Sequence, residues 1–380
     1  MRTGAHRRGA LALCVLLLLV LLTGCTGHSG EKLWSELTPQ STTELEYAKQ
    51  FTIEDYGNGL RLITIAQDRQ YLLVPEGAQI PAGVPDEVTI LQQPIQNIYL
   101  TATAAMDLFR ALDGLDAIRL SGTKESGWYL PEARQAMEEG SILYAGKYSA
   151  PDYELILAQQ CGLAVESTMI YHNPEVKEQL ESLGIPVLVD YSSYESDPLG
   201  RMEWIKLYGA LLGKEEEAAR IFDEEAAAVQ PVLNQTNTGK TVAFFYITNT
   251  GTVNVRKSGD YIAQLIRMAG GVYVPEGENG GEENALSTMN IDMESFYAAA
   301  HDADVLIYNS TVDGELASLD ELLKKSELLA DFKAVQSGNV WCTGKNMFQS
   351  SMSLGRMILE INAVLTQPAP EGLTYLYRLS

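Results

Sequence analysis

In a chain with 50 acidic and only 27 basic residues, and a net charge of −23, the few cations and the aromatics beside them are the residues most able to do chemistry. Lys124, Lys147, Arg256, Lys257 and Lys345 each fall just past a short apolar run that reads as a β-strand. Trp128, Tyr148, Tyr171, Tyr194 and Phe348 are interleaved with them, and Thr103 and Asn309 hold similar places after runs of their own. Cations among flat rings suit an oxygen-rich or planar ligand of negative charge, held by charge-assisted hydrogen bonds and cation–π or stacking contacts. Single lysines decorate loops everywhere, so the grouping carries the reading. Arg256 is its strongest member, because a guanidinium holds planar anions bidentately. His172, between Tyr171 and Asn173-Pro174, is either a haem or metal ligand or an ordinary residue at a helix start.

Several chemistries are not written in the chain. There is no G-x-S-x-G, no phosphate-binding glycine loop and no cysteine set at metal spacing, and the chain holds four cysteines and four histidines. No catalytic residue, cofactor or metal centre is therefore expected. Carboxylates are too abundant for any pairing to be informative. The acidity argues against a nucleic-acid partner. Cys161 and Cys342 sit in apolar surroundings and read as core residues.

The elements that would position the cluster follow a regular rhythm. Strands are expected at 98–100, 117–121, 142–144, 163–167 and 187–190, with helices between them at 104–112, 130–137, 153–160 and 174–183. After 239 the alternation resumes, with strands at 242–247, 253–256, 305–308 and 340–342 and helices at 261–268, 293–300, 319–329 and 353–365. Such alternation implies βαβ crossovers and parallel sheets. Between the two series lies one long amphipathic stretch, 214–233, with Ala218, Ile221, Phe222, Val229, Val232 and Leu233 at helical spacing and Glu215, Glu216 and Glu217 in its first turn, where negative charge suits the helix dipole. Pro231 is expected to kink or stop it. The reading is an α/β chain: two Rossmann-like lobes, 94–213 and 236–367, joined by one inter-lobe helix, 214–235, with a ligand cleft between them and a short tail, 368–380. Ligands of open α/β sheets bind beyond the carboxyl ends of the strands.

Ahead of the lobes, Arg2, Arg7 and Arg8 precede an unbroken apolar run, 10–22, too short to span a bilayer as a helix and built like a secretory signal. Leu22-Thr23-Gly24-Cys25 resembles a bacterial lipobox, which implies a signal peptide, 1–24, and a lipid on Cys25; an ordinary cleaved signal is the alternative. Residues 25–43 read as a polar tether. In 44–93 a β-meander with a Gly57-Asn58-Gly59 turn is followed by a loop, 76–93.

One internal repeat ties the lobes together. Glu154 stands eleven residues before Val165, and Glu294 eleven before Val305; each opens a helix that runs into a strand. With the lipobox, the two α/β series and the single long helix, the segments PIQNIYLTATAAMDLFRALDGLDAI, APDYELILAQQCGLAVEST, LESLGIPVLV, KSGDYIAQLIRMAGG and NIDMESFYAAAHDADVLIY give a chain that resembles the helix-linked solute-binding proteins of ABC importers over roughly 94–365. That resemblance implies an extracytoplasmic, lipid-anchored monomer, not an enzyme, that captures an iron chelate, foremost a ferric siderophore, and presents it to an ABC permease dimer. It further implies that Glu154 and Glu294 meet arginines of that permease. Haem or a corrinoid is the alternative ligand within the group, and a surface enzyme on a similar two-lobe scaffold the alternative outside it.

Overall fold

The computed structural model describes residues 33–276 and 288–380; the signal-like segment, Cys25 and the first part of the expected tether, 25–32, lie outside the described residues. Residues 33–38 and 79–86 belong to a small unit of their own. In it Leu33 bridges Ala82, the Trp34 N–H donates to the Ala82 carbonyl at 2.8 Å, and a 3₁₀ turn covers Trp34–Glu36. Everything that follows concerns the second unit, Pro39–Ala78 with Glu87–Ser380.

The first lobe is built on a five-stranded parallel sheet in the order Val187–Asp190, Ala164–Ser167, Ile98–Leu100, Ile118–Ser121, Leu143–Tyr144. Both of its faces are covered, as parallel sheets require. Leu100, Val165 and Leu188 turn to the main core, while Tyr99, Ala164 and Val187 turn to a second one. The second lobe centres on Thr241–Ile247. Val305–Tyr308 and then Val340–Thr343 run parallel on one side of it.

The other side of that sheet departs from an all-parallel arrangement. Val253–Arg256 folds back antiparallel, because only a tight turn, closed by the Thr248 N–H to the Thr252 carbonyl at 2.8 Å, separates it from the central strand. A parallel crossover needs a dozen residues or more. Thr288–Ile291 pairs antiparallel with Val253–Arg256, and Val272–Val274 runs parallel to the first half of the central strand. The tail also enters the sheet: Leu376–Arg378 pairs antiparallel with Val340–Thr343.

The inter-lobe helix spans Glu215–Leu233. Lys214 stands outside it, its ammonium donating to the carbonyls of Leu112 and Asp113 at 2.6 and 2.8 Å. Pro231 does not stop the helix, which runs on to Leu233 and carries the proline in its last turn. Ala218, Phe222, Ala226, Val229 and Val232 form the buried stripe. The stripe takes its neighbours very closely: a Cβ at Gly209 of helix Ile205–Leu212 would fall 2.5 Å from the Ala218 Cβ, and one at Gly355 of helix Leu354–Thr366 would fall 3.2 Å from Val229 Cγ1. The lobes also meet away from the helix. The Gln349 side chain accepts from the Tyr129 N–H at 2.7 Å and donates to the Gly127 carbonyl at 2.8 Å. Nearby, the buried Asp107 carboxylate accepts from the Met352 N–H at 2.8 Å.

The amino-terminal strands form a separate five-stranded sheet in chain order, Ser41–Thr42, Phe51–Asp55, Arg61–Ile65, Arg69–Val74 and Thr89–Gln92. Gly57, Asn58 and Gly59 all take positive φ at the expected turn. Two parts of the expectation change. Ser41 and Thr42, read as tether, pair with Asp55 and Glu54. Thr89–Gln92, read as loop, runs parallel to Arg69–Val74 and satisfies its open edge. Two glutamates of the first lobe hold the chain that leads into this sheet. Glu203 accepts from the N–H groups of Glu46, Tyr47 and Ala48, and Glu195 from those of Lys49 and Gln50.

Candidate functional site

Between the lobes lies a cavity of about 390 Å³, within the size range of small-ligand sites. Its first-lobe wall is Ser193 and Arg201; its second-lobe wall includes Tyr246, Asn254, Arg256, Tyr261, Asn309, Thr311 and Phe348.

Two arginines, one from each lobe, dominate its electrostatics. Arg201 rides on the short helix Pro198–Glu203, and its Nε and Nη2 donate to the carbonyls of Glu195 and Ser193 at 2.9 and 2.5 Å. Its guanidinium carbon lies 3.5 Å from the centre of the Tyr261 ring, which belongs to the other lobe. Burial pulls this guanidinium below its ordinary value, and the charge of Arg256 acts the same way, against Tyr261, Asp260 and Glu195. Arg256 ends the strand Val253–Arg256, and the Tyr273 phenol pins its backbone by accepting from its N–H at 2.8 Å and donating to its carbonyl at 2.7 Å. Its side chain lies over the rings of Phe244 and Phe348, 5.8 and 5.3 Å from their centres. The carboxylate of Asp260 comes to 3.6 Å of Arg256 Nη1 while capping helix Tyr261–Met268 through the Ile262 N–H. Arg201 and Arg256 are the charged side chains that line the cavity, with no carboxylate among the described residues of its lining. Burial pushes the Tyr261 hydroxyl up to about 12, so it stays a neutral phenol beside them. Asn309 is buried, its side-chain oxygen accepting from the Thr311 N–H and hydroxyl at 3.1 and 2.6 Å. The arrangement can hold an anion between two opposed guanidiniums and stack flat groups on Tyr246, Tyr261 and Phe348. It offers no nucleophile paired with a base, and among the described residues no group of metal-ligating side chains is assembled.

The expected residues divide. Arg256, Asn309 and Phe348 line the cavity. Tyr194 follows Ser193 of its wall and lies 5.2 Å ring to ring from Tyr191. Trp128 is corrected outright: it is 1 % exposed and its indole N–H donates to Ser121 Oγ at 3.2 Å, which makes it a core residue of the first lobe that no ligand reaches. Thr103, Lys124, Lys147, Tyr148, Lys257 and Lys345 are not among the cavity's lining. Lys124 is exposed with its ammonium 5.5 Å from the Tyr144 ring centre, Lys147 sits in the small hairpin with Ala150, and Lys345 lies 5.9 Å from the Tyr129 ring centre. Tyr171 and His172, exposed at the end of the 3₁₀ turn Thr168–His172, are also outside it. Arg69 of the amino-terminal sheet lies 5.1 Å from the ring centres of both Tyr171 and Tyr191.

Arg201, Tyr246, Asn254 and Tyr261 escaped the rule that looked only past strand ends. Arg201 had one signal, a guanidinium between Leu199-Gly200 and Met202 in an otherwise apolar helix start. Glu154 and Glu294, exposed, stand in matched places. Each is the second residue of its helix, Tyr153–Ala158 or Met293–Ala300, behind an aspartate that caps it: Asp152 accepts from the Leu155 N–H at 3.0 Å and Asp292 from that of Ser295 at 2.6 Å.

Comparison with known proteins agrees with this two-lobe architecture. An uncharacterized lipoprotein of Methanocaldococcus jannaschii is 27 % identical over 313 residues, 79 % of this chain and 71 % of that protein. The periplasmic haem-binding protein HutB of Vibrio cholerae superposes with a TM-score of 0.58 at 18 % identity, covering 72 % of this chain and 99 % of that one. An Fe3+-hydroxamate transport protein of Saccharomonospora viridis gives 0.54 at 20 % identity, covering 72 % and 94 %. At these identities the structures speak for the fold. The family model described as Periplasmic binding protein matches residues 101–347, from the end of the first parallel strand to the turn bearing Phe348. The chain therefore belongs to the Periplasmic binding protein family, in its two-lobe, helix-linked form.

Proposed function

We propose that this protein is the extracytoplasmic, lipid-anchored binding component of an ABC importer, and that it captures an iron chelate of negative charge, foremost a ferric siderophore, in the inter-lobe cavity. The observation that carries the ligand class is the pair Arg201 and Arg256, facing one cavity from opposite lobes among neutral aromatic rings. An anion bound there relieves the opposition of two like charges and draws the lobes to a common partner. A neutral ligand would leave the second guanidinium desolvated beside the first, with Asp260 shared between them. Glu154 and Glu294, each the second residue of a capped helix, are suited to meet cationic side chains of a two-subunit permease. The anchoring rests on the lipobox-like Leu22–Cys25 and on the kinship with a lipoprotein.

A calorimetric and thermal-shift screen of ferric catecholates, ferric hydroxamates, haemin and cobalamins tests the reading. A ligand at 100 times its dissociation constant adds about 2.7 kcal/mol of stability. An anionic ferric chelate should bind, and Arg256→Ala should weaken it at least about tenfold, or about 1.4 kcal/mol. Unchanged affinity in that variant would refute the assignment, and haemin binding that is lost with Tyr171→Phe or His172→Ala would replace it with the haem alternative. Charge reversal at Glu154 and Glu294 should leave chelate affinity intact and abolish import.

A further inference from the structure

The loop that follows the last strand of the first lobe does two jobs through one residue. Glu195 is 2 % exposed. Its carboxylate accepts from the N–H groups of Lys49 and Gln50, at 3.0 and 2.9 Å, and from the indole N–H of Trp204 at 3.0 Å. Its backbone carbonyl, together with that of Ser193, accepts from Arg201. The chain entering the amino-terminal sheet is thus linked to the cavity arginine by a single residue. A guanidinium on a long side chain loses rotamer freedom when it must be aimed, and holding it in advance raises affinity by lowering that cost.

A second glutamate supplies the contrast. Glu203 is fully buried and accepts from the N–H groups of Glu46, Tyr47 and Ala48 at 3.0, 2.8 and 2.8 Å and from the Lys206 ammonium at 2.8 Å. It clasps the same stretch of chain, yet makes no hydrogen bond to Arg201. If the two glutamates only fastened the sheet, they would be interchangeable in effect.

We infer that Glu195 is a positioning residue for the ligand cavity, and that residues 49 and 50, outside the family-wide region 101–347, take part in ligand recognition by holding Glu195, and through it Arg201, in place. This rests on the reading of the Arg201–Arg256 cavity as the ligand site. These two residues are part of the cleft's construction at one remove, acting through their backbone N–H groups without touching ligand.

The test uses the full chain with Glu195→Gln, Glu195→Ala and Glu203→Gln, each checked for cooperative melting. The Gln variant keeps the side-chain volume and decides the matter if the Ala variant does not fold. Two readouts are taken: the dissociation constant for the ferric complex of 2,3-dihydroxybenzoate, and the Arg201 Nε–H resonance, identified by its loss in Arg201→Lys. Glu195→Gln should weaken the ferric complex about tenfold and shift or broaden the Nε–H resonance. Glu203→Gln should lower the melting temperature while leaving both readouts at wild-type values. An unmoved Nε–H resonance in the Glu195 variants overturns the inference, as does an equal loss of affinity from Glu203→Gln. If the wild type does not bind the ferric catecholate, the catecholate form of the ligand reading fails, and the Nε–H resonance alone still decides whether Glu195 positions Arg201.

Discussion

Replacing Glu166 by glutamine should remove a dependence of stability on pH. Glu166 has no exposed surface on the strand Ala164–Ser167. Thr101 Oγ1 donates to its Oε2, while its Oε1 has no hydrogen-bond partner. Burial pushes its carboxyl up to about 7 from an ordinary 4.5, against a smaller opposing effect of the Thr101 bond. Below about pH 4.5 the group is protonated in both folded and unfolded chains and contributes nothing. Between about 4.5 and 7 the unfolded chain has released a proton that the folded chain keeps, so stability falls as pH rises; above about 7 the loss is complete. At 1.36 kcal/mol per unit the full loss is about 3 kcal/mol. Glutamine is neutral throughout and loses none of it. Urea unfolding of both proteins, followed by far-UV circular dichroism at about pH 5 and about pH 8, isolates the effect, because every other titrating group cancels in the difference. Part of the loss is already present at about pH 5, so Glu166→Gln should gain on the wild type by about 2.5 kcal/mol between the two conditions. A difference that stays constant, or that turns in favour of glutamate at the higher pH, would refute the buried, unpaired carboxylate.

Gly209→Ala should destabilise the protein by about 1–3 kcal/mol in urea unfolding, although alanine ordinarily improves a helix by about 1 kcal/mol over glycine, because the new methyl group would meet the Ala218 Cβ at 2.5 Å. Gln349→Ala removes both hydrogen bonds that its amide makes to the 127–129 loop. Amide exchange at Tyr129 should then accelerate about tenfold, a local opening eased by about 1.4 kcal/mol, while exchange in the sheet strands stays unchanged.

Much of the architecture was legible because it is periodic. The alternation of apolar runs and helical stripes located every parallel strand of the first lobe, and the long stripe from Ala218 to Val232 located the inter-lobe helix. The matched Glu154 and Glu294 were visible for the same reason, as two copies of one local pattern. The misses lie where partners are remote in sequence. Thr89–Gln92 carries no pattern of its own and is a strand because Arg69–Val74 offers it an edge. Leu376–Arg378 is one because Val340–Thr343 does. Trp128 and Lys124 share a loop in sequence, yet one is buried under Ser121 and the other is exposed, a distinction made by how that loop folds over the sheet.

The inter-lobe cavity shows the division most clearly. The chain by itself determined that two α/β lobes exist, that one helix joins them and that Arg256 ends a strand; these follow from local periodicity, while the antiparallel course of that strand was decided by the sheet. Only the tertiary structure decided that Arg201, on a helix and past no strand, comes to face Arg256, and that a glutamate fastened to residues 49 and 50 holds it there. Pairing of that kind is a matter of distance in space between residues far apart in the chain, and no spacing within the sequence encodes it.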